Sequence, residues 1–340
     1  MKRLKIGLFP LSSDLTHPGD RRRIVSWARS RNHELLIGET RKVDLILISE
    51  GSDFLKLSQL KGPPKVFDLI DGYLSPQLLT SDLLRGTLKS AFRQHRTYPR
   101  RYSSIVKDAC KQMDMVVCSS PEQFATIVTH NSNVRIILDN HSEFPFLNFT
   151  KKSTSAFSLF WEGTTHTLRG LEKLAQALSQ DSIPLNLVTD STHSRLMGKY
   201  LKEDVVRRLN RTLKEHPFTF APWSKENVVS SAEISSLAVL PVDLSSKLQL
   251  LKPENRLLIM FRLGLPCLTS NLASYKRVEN SMKIKVTCDS DEDWLTSIRI
   301  FAENSDLMEQ QVKNGQRYLL NNHTEEILFS KWDQAIESLL

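Results

Sequence analysis

From Leu4 onwards, short apolar runs rich in β-branched residues take turns with longer amphipathic stretches. A strand covered on both faces reads as a continuous apolar run, and a crossover helix brings the chain back to a parallel neighbour. The series opens with Leu4–Phe9, a helix from Asp20 to Arg31, and Glu34–Ile37. Within that helix Ile24, Trp27 and Ala28 fall at helical spacing, arginines take the other side, and Asp20 after Gly19 suits an N-cap. Asp44–Ser49, Lys65–Leu69, Met115–Cys118 and Val134–Leu138 continue the strands, and Ser120-Pro121-Glu122-Gln123 opens a capped helix.

After a polar stretch at 148–155 the pattern starts again. Strands are expected at Phe157–Trp161, Leu185–Val188, Phe218–Phe220, Ser236–Leu240, Pro266–Thr269 and Lys285–Cys288. Helices Leu168–Leu178, Asp204–Leu213, Asn255–Leu263 and Asp291–Phe301 fall between them. The expected class is α/β, with two Rossmann-like doubly wound parallel-sheet domains facing a cleft. Residues 1–148 form the first, 149–322 the second, and 323–340 a terminal helix. A length of 340 residues suits two cores of ordinary size.

Hydrophobic residues at 40% and charged residues at 25% are globular usage, which leaves no room for a long disordered tract. The apolar run at the start breaks at Pro10, too short for a secretory signal, and no other run is long enough to span a bilayer. Cys110, Cys118, Cys267 and Cys288 are scattered and read as buried free thiols, so a reducing, cytoplasmic setting is expected. The net charge of +8 favours an anionic partner. Much of it is local: Arg85, Lys89, Arg93 and Arg96 lie three or four apart with Phe92 among them. That pattern fits a solvated helix face, or peripheral contact with the anionic inner face of a membrane. Nucleic acid is not expected as a partner.

Several chemistries are excluded by motif. No two glycines stand two apart, so the Gly-x-Gly-x-x-Gly dinucleotide fingerprint is missing. The phosphate-binding loop of nucleotide hydrolases, the His-Glu-x-x-His zinc helix and the Gly-x-Ser-x-Gly elbow are missing too. What remains is Lys252-Pro253-Glu254-Asn255-Arg256, leading through an apolar helix to Gly264-Leu265-Pro266 and a strand ending at Ser270. Pro253 in the first turn leaves the amides of Glu254, Asn255 and Arg256 free, and Lys252 and Arg256 add charge, so a diphosphate would fit there. Gly264 suits the left-handed cap that ends the helix.

This tract resembles the donor-binding region of glycosyltransferases of GT-B architecture (family 1/4-like). Phe157 to Thr165 is similar to the first strand and glycine loop of that donor domain, and Ser119-Ser120-Pro121-Glu122 to a junction late in the acceptor domain. Many retaining members carry two glutamates eight positions apart, where this chain has Leu251 and Ile259. After Gly163, His166 and Arg169 stand where that branch has Arg and Lys, so the stereochemistry stays open. The resemblance implies a hexosyltransferase-like enzyme that moves sugar from a nucleoside diphosphate sugar to an acceptor, a glycan, a lipid-linked molecule or a small one. Gly163, Thr164, Thr165, Trp223, Lys252, Asn255 and Arg256 would bind the donor. Trp223, after a strand and before an N-cap at Ser224, could stack on the base. Asp14 and His141 lead the candidates for acid–base work, with His17 and Asp71 behind them. No metal ligands and no cofactor beyond the co-substrate are expected, since no Asp-x-Asp pair ends a strand of the second domain. A nucleotide-sugar epimerase of the same fold and a non-catalytic nucleotide-sugar binding or scaffold protein are the alternatives.

Overall fold

The computed structural model describes residues 2–74, 80–92, 94–95, 97–151, 156–178, 183–195, 201–214 and 216–340. The chain divides into two compact units. One comprises Met1–Asn140, Ser246–Pro253 and His323–Leu340, the other His141–Ser245 and Glu254–Asn322.

The first unit is built on six parallel strands: β1 (Lys5–Phe9), β2 (Glu34–Ile37), β3 (Leu45–Ser49), β4 (Lys65–Leu69), β5 (Met115–Cys118) and β6 (Val134–Ile136), in the order β2-β1-β3-β4-β5-β6. The strands β3, β4 and β5 are buried along their whole length; β3 and β5 are almost wholly apolar, and β4 carries Lys65 and Asp68 into the interior, where Asp68 meets Arg23. Helices α1 (Val25–Ser30), α2 (Phe54–Ser58), α3 (Thr80–Ala91), α4 (Tyr102–Gln112) and α5 (Pro121–Ile127) cover the sheet. A π-helical stretch, Asp20–Ile24, runs into α1, so Asp20 is not its N-cap. Its buried carboxylate instead accepts from the amides of Leu11 and Ser12 at 2.8 and 2.9 Å, which pins the loop after β1. Arg23 is not on the solvent side either. It is fully buried, clamped on both Asp68 oxygens with a shortest contact of 2.6 Å, and reaches Asp139 at 3.1 Å. Ser120 caps α5 through the Gln123 amide at 3.2 Å, with Pro121 in the first turn.

In the second unit the parallel strands are β7 (Leu159–Glu162), β8 (Leu185–Thr189), β11 (Phe218–Pro222), β12 (Leu237–Leu240), β13 (Cys267–Ser270) and β14 (Thr287–Cys288). Between β8 and β11 lies an antiparallel hairpin, β9 (Thr192–Arg195) and β10 (Leu201–Asp204), which the sequence pattern did not suggest. The order β11-β8-β7-β12-β13-β14 makes β7 central, and the winding reverses between β7 and β12. Helices α6 (Leu168–Ala177), α7 (Val205–Leu213), α8 (Lys225–Ile234), α10 (Asn255–Arg262), α11 (Ala273–Met282), α12 (Asp291–Glu303) and α13 (Ser305–Asn322) surround it. Gly264 ends α10 at φ +69°, its amide on the Phe261 carbonyl at 3.1 Å and that of Leu265 on Met260 at 3.0 Å. These are the two bonds of a Schellman cap, the role expected for Gly264.

Three chain segments fall in a different unit from the one their sequence position suggests. Residues 141–148 belong with the second unit, because Arg262 Nε donates to the Phe144 carbonyl at 2.6 Å and the Leu147 amide donates to the Arg262 carbonyl at 2.8 Å. Of the polar stretch 148–155, residues 152–155 lie outside the described residues. The short helix α9 (Lys247–Leu250) and the terminal helix α14 (Glu325–Glu337) both belong to the first unit. There Trp332 stacks on Trp27 at 5.6 Å, and the Trp27 indole donates to Asp333 at 2.8 Å.

Candidate functional site

In an open α/β sheet the place for a ligand is beyond the carboxyl ends of the strands where the winding reverses, because the crossovers leave in opposite directions and open a crevice. In the second unit that point is the end of β7 and β12. The sequence Leu159-Phe160-Trp161 buries β7, and Glu162 ends it with a carboxyl group that is almost wholly buried. Trp223, half-buried just after β11, donates its indole N–H to Glu162 Oε1 at 2.9 Å and its amide to the Thr189 carbonyl at 2.9 Å. The indole expected to meet a base is thus locked to the end of β7.

Gly163 follows. A Cβ there would lie 2.7 Å from Thr167 Oγ1 and 3.0 Å from both Arg256 Nη2 and Trp161 Cζ2, so glycine is what this approach allows. Thr164 is exposed and its carbonyl accepts from the Thr167 amide at 2.9 Å. Thr165 is buried, its hydroxyl paired with His193 Nδ1 of β9 at 2.8 Å, and the rings of His166 and His193 meet at 5.0 Å. The polar hairpin thereby supports the glycine loop.

Arg256, the second residue of α10, donates through Nη2 to the Glu162 carbonyl, with Nε 3.7 Å from Glu162 Oε2 and its guanidinium 5.3 Å from the Trp161 ring centre. Its side chain is only 19% exposed, so it is not the solvent-facing cation its sequence position suggests. Helix α10 starts at Asn255, as its sequence pattern suggests, so Pro253 lies ahead of its first turn. Glu254 is the N-cap, and its carboxylate accepts from Arg277 at 2.9 Å instead of capping the helix amides. The open amides are therefore those of Asn255, Arg256 and Leu257. His141 Nε2 lies 3.2 Å from Asn255 Oδ1, which brings a residue singled out as a catalyst together with one singled out for donor binding.

At the end of β12, Asp243 joins Arg169 at 3.1 Å and Lys173 at 2.8 Å, both from α6. Burial would raise its carboxyl, but hydrogen bonds from Lys173 and Ser245 outweigh that and hold it below the ordinary carboxylate value. Glu162, Asp243 and His193 were missed by sequence reasoning. The available signal was a carboxylate placed directly after an apolar strand, as in Leu159–Glu162.

The remaining candidates lie in the first unit. Lys252 does, 4.0 Å from Asp71. Asp14 is exposed in the loop after β1, where its carboxylate binds the Thr16 amide at 3.1 Å and hydroxyl at 2.9 Å. Those bonds lower its pKa, which makes it a turn-forming anion and a weak base. His17 is held below its usual value by burial. Arg93 and Arg96 lie outside the described residues. Arg85 and Lys89 do not form a purely solvated row: Arg85 sits 4.9 Å over the Tyr73 ring, and Lys89 Nζ bonds the Tyr102 hydroxyl at 2.9 Å.

Two doubly wound parallel-sheet units in one chain define the GT-B class of fold. Known structures agree with it. WaaG, a glycosyltransferase involved in lipopolysaccharide biosynthesis, is similar with a TM-score of 0.56 at 13% identity over 97% of this chain and 98% of its own. The apo form of the lipopolysaccharide outer core galactosyltransferase WaaB is similar at 0.57 and 12% identity, over 99% and 100%. TarM gives 0.58 at 9% identity over 86% of this chain and 54% of its own, so the chain spans about half of that structure. No family model matches the chain. No curated protein matches it by sequence. At such identities the likeness establishes the fold.

Proposed function

We propose that the chain is a glycosyltransferase whose second unit binds a nucleoside diphosphate sugar and whose first unit takes the acceptor. The observation that carries this reading is the arrangement at the end of β7. Gly163 lets Arg256 close on the end of β7 at the switch point of the sheet, and Arg256 belongs to the first turn of α10, where the open amides are. Positive charge and backbone N–H groups held there would stabilise the diphosphate as it leaves the sugar. Glu162 and Asp243 hold Arg256, Arg169 and Lys173 in place until a phosphate competes for them. Trp223 offers an aromatic surface for the base, and Thr164 a free edge for polar contact. Because cations of the chain serve the leaving group, transfer is expected to proceed without a metal. Turnover that survives excess chelator supports this, and turnover that only magnesium or manganese restores contradicts it.

The direct test is a thermal-shift screen of nucleoside diphosphates and their sugars. Ligand at a hundredfold excess over Kd adds about 2.7 kcal/mol of stability. No shift with any nucleoside diphosphate would refute the donor site. A second reading, binding without transfer, is favoured by Ile259, which is 2% exposed and apolar where retaining relatives place a glutamate. Tight donor binding without hydrolysis or transfer to any acceptor would select it. The described residues contain no helix long and apolar enough to cross a membrane. Contact with an anionic membrane surface through the first unit is part of the proposal, and its test is argued below.

A further inference from the structure

At the carboxyl ends of β3 and β4 the first unit buries ionisable groups that its fold does not require. Glu50 follows β3 and is 8% exposed. Its Oε1 accepts from the Asp71 amide at 3.1 Å, and its buried Oε2 has no hydrogen-bond partner among the described residues. Asp71, just past β4, keeps its carboxylate 39% exposed, and the Tyr73 hydroxyl orients it from 3.1 Å. The Tyr73 ring meets Tyr102 edge-on at 4.8 Å.

A buried carboxyl oxygen without a partner costs roughly 1–3 kcal/mol, a cost that a water, an ion or a ligand hydroxyl supplying the missing bond offsets. Burial first, and then the charge of Asp71, pushes the Glu50 carboxyl well above the ordinary range. Burial lowers Lys89 to about 8. With its proton on, the inner carboxyl can both donate and accept, while Asp71 outside it accepts. A sugar hydroxyl also donates and accepts, so neighbouring hydroxyls match this pair, and the C–H face of a sugar ring matches an aromatic side chain. A bound anion would meet Asp71, and a bound metal ion would meet Arg85 and Lys252. The pattern selects an uncharged, hydroxyl-rich ligand.

We propose that Glu50, Asp71 and Tyr73 form a binding site for the hydroxyl face of an uncharged sugar, with Glu50 Oε2 as its inner anchor. Under the function proposed above, on which its role rests, that sugar is the acceptor or the end residue of a longer one.

The test is saturation-transfer NMR on the full chain with methyl glycosides of glucose, galactose and N-acetylglucosamine, and with methyl glucuronide as the anionic control. At least one neutral glycoside should show transfer, and Asp71→Asn, Tyr73→Phe and Glu50→Leu should each weaken it about fivefold, as loss of one hydrogen bond implies. Asp71→Asn and Tyr73→Phe change partly exposed groups, so they keep the test valid should Glu50→Leu fail to fold. Arg256→Ala should leave the glycoside signal in place while uridine diphosphate binding falls. Absence of transfer to every neutral glycoside, transfer that survives both Asp71→Asn and Tyr73→Phe, or stronger transfer to the glucuronide would each overturn the proposal. Glycoside binding by a chain that binds no nucleoside diphosphate would leave this site standing and refute the donor reading.

Discussion

Gly163 is enclosed by Thr167, Arg256 and Trp161, so a single added methyl has nowhere to go without moving the guanidinium. Gly163→Ala should therefore cost about 1–3 kcal/mol of stability. It should also weaken nucleoside diphosphate binding by at least tenfold, because it displaces Arg256 from the end of β7. Calorimetric titration beside a denaturant melt checks both effects, and unchanged affinity would sever the glycine loop from the site. Arg256→Ala removes a mostly buried cation and leaves the nearly buried Glu162 carboxylate short of its partner. The substitution should thus lower both affinity and melting temperature, whereas Lys252→Ala, at 46% exposure, should leave the melt within about 0.5 kcal/mol of the parent. That Gly163, Thr165, Trp223, Asn255 and Arg256 stand at strand ends or helix starts was legible in the sequence. The roles of Glu162 and Asp243 were not, since a carboxylate after a strand looks the same whether it ends in water or against an arginine.

Ser120 shows how much one side chain can do at the scale of an element. Its hydroxyl caps α5 at Gln123 and also donates to the Leu251 carbonyl at 3.1 Å, which ties the 246–253 segment to the first unit. Ser120→Ala should cost about 1–2 kcal/mol, at the upper end for a cap because two bonds go at once. A shift of the denaturation midpoint below about 0.5 kcal/mol would show that neither bond matters. The cap was plain in Ser120-Pro121-Glu122-Gln123, as were strands such as Met115–Cys118, because local chemistry determines them. The hairpin of β9 and β10 was not: Thr192–Arg195 and Leu201–Asp204 lack both the apolar run of a buried strand and a regular alternation. Helix α13 was missed for a related reason. Gly315 falls in its middle, where a glycine usually argues against helix, and only the close approach of Phe261 explains it.

Across the molecule, burial holds His17, His33, His95, His130 and His216 below their usual value of 6.5. The folded chain thus takes up fewer protons than the unfolded one as pH falls through 6.5, so their contribution is full above 6.5 and is lost on acidification. Glu50, raised by burial, acts in the opposite sense, losing its contribution as pH rises through its folded value. With these five groups against Glu50 and the likewise raised Asp68, the melting temperature should fall between about pH 7.5 and about pH 5, and a rise over that range would contradict the reading of these histidines. The net charge of +8 bears on a surface, too. On the first unit, Leu83, Leu84, Phe92 and Tyr98 are 50–88% exposed within and just after α3. This is the segment in which Arg85 and Lys89 have aromatic partners. Large apolar side chains left in water beside basic residues suit the interface of an anionic bilayer, where each basic residue adds about 1 kcal/mol and each apolar group adds its burial. Charge alone would give binding that salt abolishes; apolar insertion would leave a salt-resistant part. Co-sedimentation with vesicles containing anionic lipid should capture the protein at low salt, release part of it at high salt, and capture far less of the Leu84→Ser, Phe92→Ser double variant. If the parent stays in the supernatant with anionic vesicles at low salt, the surface serves no membrane and a soluble acceptor is the better reading.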